Sequence, residues 1–270
     1  MISISRLYCG VAEPSDTLRY GRAPGAEHPR PVVVWNCTRR CNLRCAHCYS
    51  GSTDRPADDE LTTAEAKGLI ADLGAFGAPV LLLSGGEPLL RPDIFELIAA
   101  ARQARLRVVL STNGTPITPA LAGRIAGAGV HYVGISLDGL AGTHDAFRGQ
   151  AGAFDRALAG VRHCLAAGVR VGLRLTLTRG NLDELPAIFD LIERERIPRA
   201  CFYHLVAAGR GGGLRDDAPS HAQTRNALDL IVDRTAALHR AGRETQVLTV
   251  DNHADGPYLY LRLRREGATR

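Results

Sequence analysis

Six short, β-rich apolar runs separated by longer stretches of helical periodicity constrain this chain more than any other feature. The runs are "PVVVW" (31–35), "PVLLLS" (79–84), "LRVVLST" (106–112), "HYVGISL" (131–137), "VRVGLRLTL" (169–177) and "ACFYHLV" (200–206). The first helical segment opens with Thr62 and Glu65 at capping-box spacing and runs to Gly77; others cover 92–105, 118–128, 153–167, 182–196 and 221–241. Parallel strands need such crossovers, which are right-handed. Six units are too few for the closed eight-unit barrel, so the predicted fold is α/β, a partial (β/α)6 barrel. The barrel is expected over 31–206, after an N-terminal extension (1–30) and before a segment (207–270) holding a Gly-rich loop, a helix and the start of a C-terminal region.

Composition narrows the function classes. An apolar content of 45% over 270 residues is enough for a substantial core. No apolar run approaches the roughly 20 residues that span a bilayer, and the N-terminus lacks the pattern of a signal peptide. A cytoplasmic protein without a membrane partner is expected. The net charge of +5 is carried by arginine, with Lys67 the single lysine, and no basic block resembles a phosphate-binding patch. No nucleic-acid partner is expected.

In parallel α/β sheets, function collects where strands end and loops begin. There the distinctive residues fall: the cysteine-rich "WNCTRRCNLRCAHCYS" (35–50) after the first strand, "SGGEP" (84–88) after the second, "STNG" (111–114) after the third and "SLDG" (136–139) after the fourth. Seven cysteines, four of them within twelve positions, fit a metal centre in a reducing compartment better than a disulfide framework. Cys41, Cys45 and Cys48 have C-x3-C-x2-C spacing, which lets one loop curl three thiolates around a compact inorganic centre. Structural zinc takes four ligands, commonly as two pairs, and no second pair follows. A [4Fe–4S] cluster is ordinarily held by four cysteines; held by three, it keeps one iron open.

This spacing after the first strand of a partial barrel, with "GGEP" after the second, resembles the radical S-adenosylmethionine (SAM) enzymes. The resemblance covers about 31–206. It implies that the open iron binds SAM and that the reduced cluster cleaves SAM to methionine and a 5'-deoxyadenosyl radical, with an external low-potential electron donor. By the same resemblance, Gly85, Gly86 and Glu87 receive the methionyl amino group, Ser111 and Asn113 the ribose, and Ser136 with Arg148 the SAM carboxylate. Asp138 and His144 are read equally as ligand contacts or as loop-organising turn and cap residues. Cys37 is expected to be a buried small hydrophobe, its alternative being a fourth cluster ligand; Cys164 and Cys201 read as buried, while Cys9 lies outside the barrel pattern. His47 is expected to pack beside the cluster. Arg174, His204 and Arg210 are candidate substrate contacts.

Within the superfamily, "VVVWNCTRRCNLRCAHCYS", "LLLSGGEPLLRPDIFELI", "YVGISLDGL", "THDAFRG" and "FYHLVAAGRG" are most similar to proteins of alternative heme and heme d1 biosynthesis. The opening "ISISRLYCGVAEPSDTLRYGR" (2–22) resembles the 12,18-didecarboxysiroheme deacetylase branch, which removes acetate side chains from a siroheme-derived tetrapyrrole. Those families continue into a C-terminal auxiliary-cluster region, whereas no cysteine follows Cys201 here. The departure bears on electron delivery and substrate closure. A radical SAM peptide maturase and a non-catalytic iron–sulfur or zinc protein are the alternative readings.

Overall fold

A computed structural model describes residues 1–21 and 30–267. The remaining part of the N-terminal extension, 22–29, and the last three positions lie outside the described residues. The strands are β1 (Ile2–Ser3), β2 (Val33–Asn36), β3 (Val80–Ser84), β4 (Arg107–Thr112), β5 (Tyr132–Ser136), β6 (Val171–Leu177), β7 (Arg199–His204) and β8 (Gln246–Val250). The helices are α1 (Ile4–Leu7), α2 (Thr17–Tyr20), α3 (Thr63–Phe76), α4 (Ile94–Gln103), α5 (Pro119–Gly127), α6 (Ala141–Arg148), α7 (Ala153–Ala166), α8 (Leu185–Arg194), α9 (His221–Arg240) and α10 (Asp255–Arg265).

All eight strands form one curled sheet in the order β1-β8-β7-β6-β5-β4-β3-β2. β2 to β8 are parallel to their neighbours, and β1 closes the far edge antiparallel to β8. The six expected strands are present as a partial barrel, and the sheet exceeds the (β/α)6 expectation by one strand from each flanking segment. α1, α2, α6 and α10 are helices beyond those that the periodicity predicts.

Alternation along the strands makes the sheet two-faced. On β6, Val171, Leu173, Leu175 and Leu177 join the apolar core under the helices, while Gly172, Arg174 and Thr176 take the opposite, concave face. On β5, Val133 and Ile135 face the core and Tyr132, Gly134 and Ser136 the concavity. Cys164 lies in the apolar core, Cys201 in a small cluster with Leu248 and Val250, and Cys9 is half-buried. Every cysteine is unbridged. Among the described residues no helix is long and apolar enough to cross a membrane.

α3 shows how local sequence sets an element. Thr62 Oγ1 accepts from the Glu65 N–H, Glu65 Oε2 accepts from the Thr62 N–H at 2.9 Å, and Gly77 ends the helix in the left-handed region with φ 81°. Thr62→Ala should therefore lower the unfolding free energy by about 1 kcal/mol, seen as a lower urea midpoint at unchanged slope.

Candidate active site at the C-terminal ends of the strands

One cavity opens at the C-terminal ends of the parallel strands. Cys41, Cys45 and Cys48 line it from the loop after β2, and Gly85 and Gly86 from the loop after β3. Ser111 and Asn113 reach it from β4, Ser136 from β5, Arg148 from α6, Arg174 from β6 and His204 from β7. Tyr49, Thr176, Tyr203 and Asp251, which the motifs did not single out, line it as well.

Each of the three thiols meets polar groups suited to an anionic sulfur. Cys41 Sγ accepts from the Leu43 N–H at 3.4 Å and faces the Asn113 amide at 3.9 Å. Cys45 Sγ accepts from Arg148 Nη1 at 3.4 Å, and Cys48 Sγ lies 3.3 Å from the Ser50 hydroxyl. Burial raises the Cys48 pKa, but bonds from Ser50 and Ser52 outweigh it and leave the thiol below its ordinary value. Burial pushes Cys41 up to about 11 in the absence of a positive centre. Cys37 differs in kind: it is buried in the apolar core, donates its own S–H to the Ser84 carbonyl at 3.3 Å, and burial pushes it up to about 12. It does not line the cavity, as its reading as a buried hydrophobe requires.

Three cavity-facing thiols with donors on their sulfurs fit an iron–sulfur cluster. Among the described residues no three His, Cys, Asp or Glu side chains converge as a single-ion site demands. Zinc would draw its sulfurs to about 3.8 Å of one another, given Zn–S bonds of about 2.3 Å in a tetrahedron. A cluster instead distributes its thiolates over separate irons.

The cysteine loop is fastened from three sides. The Ala46 and Arg44 N–H groups donate to the carbonyls of Phe147 and Arg148 at the end of α6, at 2.9 and 3.2 Å. His47 stacks flat on Phe147, centroids 4.3 Å apart, and burial lowers its pKa to about 4. Gly86 N–H donates to Thr38 O at 2.6 Å and Glu87 N–H to Arg40 O at 2.8 Å. A Cβ on Gly85 or Gly86 would overlap the Thr38 or Arg40 carbonyl, so these glycines permit backbone to pass against the cysteine loop as well as line the cavity.

Glu87 and Arg210 stand differently from the sequence expectation. Glu87 is fully buried beneath the cavity, where its carboxylate accepts from Thr112 Oγ1 (2.7 Å), the Asn113 N–H (2.8 Å) and the Leu89 N–H (3.1 Å). Burial pushes its pKa up to about 7 against those three donors. The group expected to meet a ligand ammonium is engaged within the protein. Arg210 does not line the cavity: its Nε and Nη1 donate to the carbonyls of Cys45 (3.0 Å) and Ser52 (2.9 Å), making it the third fastening of the cysteine loop.

Ser111 and Ser136 face the cavity with hydroxyls bonded to no protein group among the described residues. Asn113 is partly engaged, its Oδ1 accepting from Thr115 and its Nδ2 donating to Asn42 at 2.9 Å. Arg148 bridges the Cys45 thiol and the buried carboxylate of Asp138. Burial opposes the Asp138 charge, yet Arg148, His47, His144 and the Thr176 N–H outweigh it and hold the carboxyl below its usual range. Asp138 N–H donates to His144 Nδ1 at 3.0 Å, and neither Asp138 nor His144 lines the cavity, so both organise the loop. His204 Nε2 lies 2.9 Å from the buried carboxylate of Asp255 on α10, a helix outside those that the periodicity predicts. Arg174 lies over the Tyr203 ring, 4.7 Å from its centroid.

Comparison with known proteins places this geometry. The radical SAM superfamily model matches residues 35–192, more than half of the chain. Fe-coproporphyrin III synthase of Methanosarcina barkeri is 52% identical across 100% of this chain, which spans 70% of that protein. Pre-heme d1 synthase of Dinoroseobacter shibae is 48% identical over 86% of this chain and 57% of its own length. Among solved structures, Streptococcus suis SuiB bound to its precursor peptide SuiA superposes with a TM-score of 0.70 at 16% identity, over 85% of this chain and 51% of SuiB. On the family match, the whole-chain identity and the cavity at the strand ends, this chain belongs to the radical SAM superfamily, whose members use a [4Fe–4S] cluster and SAM.

Proposed function

We propose that the chain is the catalytic part of an enzyme that reductively cleaves SAM and removes acetate side chains, leaving methyl groups, from a siroheme-derived tetrapyrrole. The observation that carries the substrate class is the 52% identity with a protein named for making iron coproporphyrin, a macrocycle bearing methyl groups and propionates. The peptide-maturase reading has weaker support: mycofactocin maturase MftC of Mycolicibacterium smegmatis is 36% identical over 74% of this chain, against 52% over all of it for the iron coproporphyrin protein, and the likeness to SuiB at 16% identity speaks to fold alone. The radical SAM core is assigned to 31–206, with 207–270 contributing Arg210 to the cysteine loop and Asp251 and Asp255 around the cavity.

When bound, the cluster supplies the electron that converts SAM to methionine and the hydrogen-abstracting 5'-deoxyadenosyl radical. Cys41, Cys45 and Cys48 would hold the cluster, with three thiolates keeping one iron for SAM. Arg148 and the Ser136 hydroxyl present donors for a carboxylate, while the Ser111 hydroxyl and the unshared capacity of Asn113 suit a ribose. The concave wall holds these groups on strand ends, where neighbouring strands fix their separations. Electrons come from an external low-potential donor.

Cys41→Ala, Cys45→Ala and Cys48→Ala should each abolish reductive SAM cleavage by the reconstituted protein, while Cys37→Ala retains it. Loss with Cys37→Ala and retention with any of the other three would reverse the ligand assignment.

Glu87→Gln sets an amide nitrogen against one of three buried donors, and an orphaned donor costs about 1–3 kcal/mol. Melting temperature and SAM affinity should fall together at unchanged iron content. Weaker SAM binding at an unchanged melting temperature would instead put the carboxylate in direct contact with the ligand.

The substrate is tested with cluster-replete protein, SAM, a low-potential reductant and 12,18-didecarboxysiroheme. Loss of two acetate-derived fragments by product mass and accumulation of 5'-deoxyadenosine are expected. Failure to bind any tetrapyrrole, read as an unshifted Soret band, would move the function to peptide modification.

A further inference from the structure

Arg174 is the one cation on the cavity wall that has no acceptor among the described residues. Arg148 is shared between Asp138 and the Cys45 thiol, and His204 is held by Asp255. Arg174 has neither an ion pair nor a side-chain hydrogen bond; its guanidinium lies over the face of Tyr203, 4.7 Å from the centroid. The barrel wall is hollowed to admit it. Gly134 faces the Arg174 stem, and a Cβ there would lie 2.8 Å from Arg174 Cδ. In register on the next strand, Gly172 makes room for the Tyr132 hydroxyl in the same way. Two facing glycines therefore let a guanidinium and two phenol rings share the concave wall.

Leaving a guanidinium half-desolvated and unpaired is costly, and the fork of five N–H donors matches a carboxylate bidentately. We propose that Arg174 receives a carboxylate of the substrate, with the Tyr203 ring fixing the plane of the fork. The proposal rests on the tetrapyrrole reading, whose substrates carry several carboxylates. The carboxylate of SAM has its own donors in this reading, Arg148 and the Ser136 hydroxyl; Ser136 stands opposite Arg174 on the neighbouring strand, so SAM affinity is read beside that of the porphyrin to tell the two carboxylates apart. Arg174 belongs to β6, and its neighbours on the wall are Ser136 of β5, Tyr203 of β7 and Thr176 of its own strand.

The test uses the cluster-reconstituted full chain with two probes, iron coproporphyrin III and its tetramethyl ester, followed by the Soret shift, and SAM followed by equilibrium dialysis. Arg174→Gln should weaken the tetracarboxylate about ten- to a hundred-fold, as loss of a charged hydrogen-bonding pair does, with Arg174→Lys in between. Affinity for the ester and for SAM should not change. The melting temperature should hold or rise, because no protein acceptor loses its partner. Unchanged tetracarboxylate affinity overturns the proposal, as does a selective loss of SAM, which would make the carboxylate that of the cofactor. A lowered melting temperature accompanied by equal loss of acid and ester would make Arg174 structural. If the wild-type chain binds neither porphyrin, the tetrapyrrole reading itself falls; if it binds the acid and Arg174→Gln binds it equally, only this assignment falls.

Discussion

The buried pair of Arg148 and Asp138 is the constraint on which the site depends. Asp138 is 1% exposed, and its carboxylate takes Arg148 on one oxygen and the Thr176 N–H, at 2.8 Å, on the other. Asn181 reinforces the same junction, donating to the carbonyls of Asp138 (2.8 Å) and Thr176 (2.7 Å). The loop after β5 is thus locked to the end of β6, and α6 starts from that loop. Because the end of α6 offers its carbonyls to Arg44 and Ala46, the thiol positions inherit the rigidity of the pair. Removing one partner of a buried pair typically costs about 3–5 kcal/mol, since the other is left charged and unpaired. Here the cost falls where Arg148 meets Cys45.

The two faces of the sheet divide stability from chemistry. The convex face is built from the β-branched and leucine positions that close over α3, α4, α5, α7, α8 and α9, and it forms one continuous apolar core. On the concave face, the strand ends carry Ser84, Ser111, Ser136, Thr176 and Tyr203 instead. A closed barrel would fill its interior with layers of branched side chains. The curled open sheet leaves that volume accessible and sets polar side chains among apolar ones on its wall, which suits a small ligand with charged groups.

Elements specified by local chemistry were legible in the sequence. The Thr62–Glu65 box, the "SGGEP" and "SLDG" turns and the six apolar runs need only a few neighbouring residues to declare themselves. β8 and α10 were not. "QVLTV" is a five-residue apolar run whose identity as a strand comes from pairing with β7 and β1, contacts distant in sequence. "YLYLRLRR" alternates with the period of a strand, yet it folds as a helix in which Leu259 is buried and Leu261 is 58% exposed. Missing α10 hid Asp255 and with it the fixed state of His204. Arg210, among glycines, reads as a candidate substrate contact because nothing local shows that the carbonyls of Cys45 and Ser52 lie within its reach.

Glu87 and Arg174 mark the limit of what residue type can say about a site. Both are ionisable, both sit beside the cavity at the ends of strands, and either could be drawn toward a ligand of opposite charge. The difference lies in what the protein has already given them. Glu87 already accepts from Thr112, Asn113 and Leu89, so its carboxylate is spent on joining the loop after β3 to the end of β4. Arg174 has an aromatic face behind it, a glycine opposite its stem and no acceptor, so its donors are directed to whatever enters. The hydroxyls of Ser111 and Ser136 share that unsatisfied state on the same wall. Buried polar groups are ordinarily paired, and those left open at the rim of a cavity mark where a ligand completes the fold.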